Sequence, residues 1–300
     1  RLIKEICCMK KILLSIISYL FYGFVKKLFY FLFFLAPTFL FAQDVALFNQ
    51  YNGQFDFTAI GNTLNTGENG SGGPCEILTQ SSAFFNLDPA YTLVEAQLYW
   101  SGSGPMNENS RNVTLNSSPV TAEREFTLNL NGRPFFAANA DVTDIFIANG
   151  NGEYTLSDLD LTSWIENYCG SGTNFGGWSV TIIYKDPSAN LNQISLFDGL
   201  EFVSAGNPTL EILLESIDIA NADLAKIGFL AWEGDRGISV NETLLINGNL
   251  ISDPPFNPDN NAFNGTNSYT GSEVFYNMDL DVYPIENIVG QGDTTILINL

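Results

Sequence analysis

Short alternating runs of apolar and polar residues fill most of the chain after residue 43. In segment 94–101, the apolar residues from Val94 to Trp100 fall on one face and the polar residues from Glu95 to Ser101 on the other. This period of two predicts a strand with one buried and one solvated face. Segment 178–182 repeats it, with Trp178 on the inward side. Seven further segments are predicted strands: 126–130, 193–197, 210–214, 227–232, 243–246, 278–283 and 294–300.

Residues that tolerate a positive φ separate these segments. Such residues are needed in the tight turns of antiparallel hairpins. The turn signals are Asn131-Gly132, Gly150-Asn151-Gly152, Asp198-Gly199, Asn247-Gly248 and Gly290-Gln291-Gly292.

Helical periodicity is confined to short stretches. Leu161, Trp164, Ile165 and Tyr168 have the spacing of one helix face, which predicts a helix over 161–168 that caps the sheets. A second short helix is predicted over 142–148, after Asp141.

The pattern predicts an all-β fold, an antiparallel two-sheet sandwich that is jelly-roll-like, with one or two short helices. The β-sandwich region covers residues 43–300, and a soft internal boundary is placed near 204–208. Because the last predicted strand runs to Leu300, we expect the natural chain to continue beyond it.

The first 42 residues are predicted to be a leader. Lys26 and Lys27 precede fifteen uncharged residues that end in Leu40-Phe41-Ala42, the arrangement of a signal peptide with cleavage after Ala42. This run and the earlier one at 12–25 are both shorter than the about 20 apolar residues that cross a bilayer. We therefore predict no stable membrane span after cleavage; an uncleaved membrane hairpin is the alternative.

The start of translation is open between two hypotheses. The chain begins with Arg1, so residues before Met9 are interpreted as translated upstream sequence. The second hypothesis starts translation at Val25 and gives a shorter leader.

The chain without its leader is strongly acidic. Residues 1–42 hold six of twelve basic and one of thirty-three acidic residues, so six basic and thirty-two acidic residues remain, a formal charge of −26. Such a surface repels phosphate backbones and anionic lipid headgroups. Nucleic acid is therefore excluded as a partner, whereas cations, neutral glycans or a protein receptor are allowed.

Two cysteines follow the leader, Cys75 and Cys169. In an oxidising compartment, two cysteines in one exported chain most simply form a disulfide. We predict this bond; two free thiols are the alternative.

The chain contains no histidine. Ser-His-Asp and Cys-His catalysis and histidine-rich zinc sites are therefore excluded. Carboxylate chemistry, as in glycoside hydrolysis, stays possible, but no pair of acids stands out. We assign no catalytic, cofactor-binding or metal-binding residues.

The four tryptophans suggest either core packing or a sugar-stacking platform. Their strand and helix phases favour the core for Trp100, Trp164 and Trp178. Trp232 is out of phase and is predicted to be the exposed one.

Two loops gather acidic side chains. Loop 253–261 has several oxygen ligands suited to calcium but lacks the spacing of a known calcium loop, so whether it binds calcium stays open. In the second loop, Glu233-Gly234-Asp235-Arg236-Gly237, an internal ion pair is favoured over a site.

Six short motifs together resemble those of large exported proteins of Bacteroidetes. They are Tyr99-Trp100-Ser101-Gly102-Ser103, Asp141-Val142-Thr143, Gly150-Asn151-Gly152-Glu153-Tyr154, Gly176-Gly177-Trp178-Ser179, Phe197-Asp198-Gly199 and Glu233-Gly234-Asp235-Arg236-Gly237. Those proteins carry an N-terminal β module of this kind and, far downstream, a gliding-motility-associated or type IX secretion sorting domain. The resemblance implies a surface location and no catalytic residues.

The sequence therefore predicts a non-enzymatic, secreted or cell-surface module, adhesin-like or structural, within a larger exported bacterial protein. Its partner would be a surface polymer or a protein receptor, and no cofactor is predicted. The alternative is a carbohydrate-binding or carboxylate-based carbohydrate-active protein.

Overall fold

A computed structural model describes residues 44–70, 72–237 and 241–300. The predicted leader, residues 1–42, lies outside the described residues. Residues Gln43–Leu300 form one compact unit. The soft boundary near 204–208 stays a prediction.

The described residues form seventeen strands and three short helices. The strands are β1 (Ala46–Gly53), β2 (Phe55–Thr63), β3 (Gln80–Phe85), β4 (Thr92–Ser103), β5 (Asn112–Leu115), β6 (Ser118–Thr121), β7 (Arg124–Leu130), β8 (Arg133–Asp141), β9 (Gly152–Ser157), β10 (Gly176–Lys185), β11 (Asn192–Asp198), β12 (Glu211–Leu214), β13 (Lys226–Trp232), β14 (Leu245–Ile246), β15 (Asn249–Leu250), β16 (Met278–Pro284) and β17 (Ile296–Asn299). The helices are α1 (Glu108–Arg111), α2 (Thr143–Asn149) and α3 (Thr162–Cys169). The two predicted helices are thus confirmed as α2 and α3, and α1 was not predicted.

Two antiparallel sheets form the first half of the fold. One has the strand order β2-β10-β4-β8-β7 and the other β3-β9-β5-β6. From β2 to β5 the chain alternates between the two sheets, and it alternates again from β8 to β10, which is the connection of a jelly roll with β7 added as an edge strand. The predicted all-β, jelly-roll-like sandwich is confirmed.

The space between these sheets is filled by apolar side chains from both. Trp100 and Trp178 from the first sheet are fully buried, as are Tyr154 and Leu156 from the second. Burial of side chains of this size is the main free-energy gain of the sandwich. The predicted inward face of β10 is confirmed.

The prediction of a solvated second face on β4 is wrong. Gln97 and Ser101 are buried. The ribbon formed by β1 and β11 contacts this face at Glu95 and Tyr99. Asn49 on β1 donates to Glu95, with 3.1 Å between Nδ2 and Oε2, and the pairing of β4 with β10 shifts register near Val94. This irregularity leaves Val94 36% exposed.

The C-terminal part adds two smaller sheets, β12-β17-β14-β15 and the pair β13-β16. They enclose a second core that includes Leu244, Ile246, Tyr283 and Ile298. This core is separate from the one inside the jelly roll. The segments predicted as strands in this region therefore do not extend the first sandwich.

Strand β2 contributes to two apolar clusters. Ile60 packs in the jelly-roll core, whereas its neighbour Ala59 packs with Phe275, Met278 and Leu280 from the C-terminal part. Successive side chains of a strand point to opposite faces. One strand thus lies between the jelly roll and the C-terminal part.

Two of the predicted Asn-Gly turns close hairpins. Asn131 and Gly132 join β7 to β8 with φ values of 53° and 82°, and Asn247 and Gly248 join β14 to β15 with 48° and 75°. Both pairs therefore have the left-handed conformation that two-residue hairpins require.

Candidate functional site

A disulfide joins Cys75 and Cys169, as predicted. Their Cα atoms are 5.5 Å apart, and 94 positions separate them in the sequence. The bond ties the connection between β2 and β3 to the end of α3. This loop is thereby fixed against the helix that caps the jelly roll.

The tryptophans differ from the prediction at two positions. Trp164, predicted in the core, is 36% exposed. Trp232, predicted to be exposed, is half-buried, and its ring stacks at 6.3 Å from that of Phe175. Phe175 therefore covers one face of the Trp232 ring.

The loop considered for calcium uses its asparagines as hydrogen-bond donors. Asn257 is fully buried and its Nδ2 donates to the Ile251 carbonyl over 3.2 Å, while Asn261 Nδ2 donates to the Asp235 carbonyl over 3.0 Å. In the part of the chain that is described, no three acidic or cysteine side chains are grouped so that they could hold a metal ion.

The expected ion pair inside the Glu233–Gly237 loop is not formed. Arg236 lies instead 3.5 Å from Glu273, measured from Nη2 to Oε2, and both side chains are exposed. The carboxyl groups of Glu233 and Asp235 turn toward asparagines from other parts of the chain. The loop therefore contacts distant segments and does not pair within itself.

These asparagines connect the C-terminal part to the segment that follows β2. Asn277 Oδ1 accepts from Asn65 Nδ2 at 3.1 Å and from the Asn69 backbone N–H at 3.0 Å, and Asn277 Nδ2 donates to Asp235 Oδ1 at 3.2 Å. Asn69 Nδ2 donates to Glu233 Oε1 at 3.3 Å. We call the set of hydrogen bonds that joins segment 62–69 to loop 233–237 and to residues Tyr276 and Asn277 the carboxylate junction.

Two further contacts complete the carboxylate junction. The Gly237 backbone N–H donates to Glu68 Oε1 at 2.8 Å, and the Thr63 hydroxyl donates to the Tyr276 carbonyl at 2.8 Å. Segment 62–69 thus forms hydrogen bonds with the C-terminal part near both of its ends.

Burial changes the acidity of the carboxylate junction. It raises the pKa of Glu233 to about 8, with a smaller contribution from the nearby Asp235 carboxyl. Burial, followed by the charges of Glu68 and Glu242, raises the pKa of Asp235 to about 6. The pKa of Glu242 is also raised by burial. These groups keep protons at pH values where exposed carboxyls have lost them.

Two acids on one face of β16 hold the loop that faces it. Asp279 Oδ1 accepts the backbone N–H groups of Gly265 and Thr266 at 2.9 and 3.1 Å, and Asp281 Oδ1 accepts that of Ser268 at 2.7 Å. Both acids are buried, and burial raises the pKa of Asp281 to about 6 and that of Asp279 well above its ordinary range. Their oxygens thus serve as acceptors for a folded loop.

A shallow depression opens beside the carboxylate junction. Its volume is about 10 Å³, room for about one water molecule. Its lining includes Glu68, Arg236, Asn264, Glu273 and Asn277. The site therefore offers proton uptake and hydrogen bonding at a surface, and the depression does not enclose a sugar ring.

Sequence reasoning found Glu233 and Asp235 but missed the residues that meet them. Asn69 and Asn277 lie 208 positions apart in the chain, and neither is part of a recognisable motif. Asn277 has a left-handed φ of 58°, and asparagine is the residue besides glycine that most readily adopts this conformation. The residue type at position 277 was therefore a signal for a turn, but not for a contact with Asn69.

The described residues include no helix with the length and apolar character needed to span a bilayer. Comparison with protein-family models, curated proteins and solved structures gave no match for this chain.

Proposed function

We propose that this chain is a non-enzymatic module of a larger exported bacterial protein, secreted or held at the cell surface, with an adhesin-like or structural role. The observation that carries the proposal is the Cys75–Cys169 disulfide, because such bonds persist in oxidising compartments outside the cytoplasm. The acidic composition and the resemblance to exported Bacteroidetes proteins support the same location.

The use of the buried acids supports a scaffold or binding role. Asp279 and Asp281 accept backbone N–H groups, and Glu233 and Asp235 accept side-chain amides. A glycoside hydrolase needs two carboxyl groups on either side of a space that admits a sugar. The depression beside the carboxylate junction has room for about one water molecule, so this depression does not provide such a space.

The export part of the proposal is tested by expressing the full chain in a bacterium that exports such proteins. We expect intact-mass measurement of the extracellular or surface fraction to find a product that begins at Gln43 and carries no free thiol. A cytoplasmic product that retains residues 12–42 would contradict the proposal.

The adhesive part is tested by binding of this exported product to bacterial cells and to isolated surface polymers. We expect saturable binding to at least one of them if the role is adhesin-like, and no binding if the role is structural. Turnover of a glycan by the product would overturn the non-enzymatic proposal.

One observation favours the alternative of carbohydrate binding. The rings of Tyr91 and Tyr184 stack with centroids 5.0 Å apart at an angle of 21°, and both side chains are half-exposed. The carboxyl groups of Asp186, Asp88 and Asp56 lie near enough to raise the pKa of Tyr91. Aromatic rings flanked by hydrogen-bond acceptors are suited to a neutral sugar.

A glycan array with the exported chain tests this alternative. Tyr91→Ala should abolish binding if the tyrosine pair is the platform. The matched control is Phe84→Ala, which removes an aromatic ring that is 69% exposed elsewhere on the surface. Equal loss in both variants, or no binding by the unmodified chain, would count against carbohydrate recognition at this pair.

A further inference from the structure

The carboxylate junction contains more acidic side chains than basic side chains that could neutralise their charge. The charged or titratable residues around loop 233–237 come from the loop itself, from segment 62–69, from the chain before β14 and from β16. They are Asp235, Arg236, Glu68, Glu242 and Asp279. The arginine is exposed and lies beside Glu273, so it does not neutralise the buried members.

The hydrogen bonds across the carboxylate junction do not require ionised acids. Glu233 and Asp235 each accept one bond from an asparagine amide, at 3.3 and 3.2 Å. A neutral carboxyl group accepts such a bond through its carbonyl oxygen. Ionisation would instead place several like charges in a partly buried contact, which is unfavourable.

We propose that the carboxylate junction is a pH-sensitive latch, which holds segment 62–69 against loop 233–237 while its acids keep their protons and releases it as they ionise. The latch acts between the jelly roll and the C-terminal part. Segment 62–69 begins in the last residues of β2 and so belongs to the jelly roll side. It goes beyond the proposed function, since it would operate in an adhesin or a spacer alike.

The sign of the effect follows from the pKa directions. The pKa values of Glu233 and Asp235, about 8 and about 6, lie above the ordinary values near 4. The closed latch therefore binds more protons than the open one between about pH 4 and pH 8. Closing is favoured at the acidic end of this window and is progressively lost as the pH rises through the two raised values.

Amide hydrogen exchange of the full chain at pH 5.5 and pH 8.5 tests the latch, with each rate divided by the intrinsic rate at that pH. The backbone N–H of Asn69 donates to Asn277 across the carboxylate junction, so peptides covering 62–69 report its opening directly. We expect protection there to fall at least tenfold from pH 5.5 to 8.5 and to stay below the protection of peptides from β4 at both pH values.

Glu233→Gln is the decisive variant because glutamine keeps the acceptor for Asn69 and cannot ionise. The tenfold fall should shrink to less than threefold. Asp235→Asn should reduce it partially, which gives a second variant if the first does not fold. Glu215→Gln removes one exposed carboxyl from another part of the surface and should leave the tenfold fall unchanged.

Three results would overturn the latch. One is equal protection of 62–69 at both pH values in the unmodified chain. Another is a tenfold fall that persists in Glu233→Gln. The third is protection of 62–69 equal to that of β4 at both pH values, which would indicate global unfolding and not a local opening.

Discussion

Arg124 on β7 forms an ion pair with Asp198 at the end of β11. Nη1 donates to Oδ2 over 2.8 Å, and Nη2 lies 2.6 Å from Oδ1. The Tyr99 hydroxyl donates to the same carboxylate over 3.2 Å. Because Asp198 is buried, this group fixes the β1–β11 ribbon to the outer face of the jelly roll.

Arg124→Met should destabilise the protein by roughly 2–4 kcal/mol, because it leaves the Asp198 carboxylate buried without its partner. Burial already raises the pKa of Asp198, and Arg124 offsets part of this rise. The free energy of unfolding, measured with urea at pH 7, checks the value. Arg111→Met is the matched control, since the Arg111–Glu125 pair is largely exposed; it should cost less than about 1 kcal/mol. Equal effects of the two substitutions would contradict the structural assignment.

Replacing both Cys75 and Cys169 by serine should lower the free energy of unfolding by about 2–5 kcal/mol. The bond closes a loop of 94 positions, and such a long closure restricts the unfolded chain. Urea unfolding under non-reducing conditions measures the difference. Adding a reductant to the native protein should give a similar loss, whereas a stability that does not respond to the reductant would mean that the bond contributes nothing.

Gly234→Ala should destabilise the protein by roughly 1–3 kcal/mol. A Cβ atom at this position would lie 2.2 Å from Asp279 Oδ2 and 2.6 Å from the Phe263 carbonyl oxygen, so the loop would have to move. Thermal unfolding monitored by circular dichroism gives the comparison. At Gly206 the nearest atom would be 3.9 Å away, and Gly206→Ala should change the melting temperature little. An unchanged melting temperature for Gly234→Ala would show that the loop can move at little cost in free energy.

The free energy of unfolding should fall by roughly 2–4 kcal/mol between pH 5 and pH 8.5. The folded state holds protons on Glu233 and Asp235 that the unfolded chain has released, so stability decreases as the pH rises through about 6 and about 8. Below pH 4, Asp160 and Asp186 reverse the trend, because hydrogen bonds from Thr162 and Ser188 lower their pKa values.

Urea titrations at half-unit pH intervals test this profile. We expect a maximum near pH 4, where the unfolded chain begins to release these protons. The double variant Glu233→Gln and Asp235→Asn should flatten the alkaline side, while Glu215→Gln should keep the profile of the unmodified chain. Stability that rises from pH 5 to 8.5 would be inconsistent with the burial of these acids.

The sequence predicted those elements whose conformation depends on a few neighbouring residues. The Asn131-Gly132 and Asn247-Gly248 pairs identify hairpins because few residues adopt their φ values. The hairpin between β5 and β6 was missed because its turn, Asn116-Ser117, has positive φ values without a glycine. The period of two in β10 and the spacing in α3 were sufficient for these elements.

Long-range packing determined the rest. Whether the polar face of β4 is solvated depends on remote segments such as the β1–β11 ribbon, and nothing in segment 94–101 encodes that cover. The carboxylate junction is similar, because Glu233 meets Asn69 only once two remote segments have folded together. The exposures of Trp164 and Trp232 were mispredicted for the same reason, since phase along one element does not show what packs against it.

The neighbouring residues Ala59 and Ile60 have a consequence for unfolding. Since they point into different apolar clusters, a slip of β2 by one position would exchange a methyl group for a branched side chain in both places at once. Packing in either cluster therefore fixes the register of β2 for both clusters. For this reason we expect the jelly roll and the C-terminal part to unfold in one cooperative step.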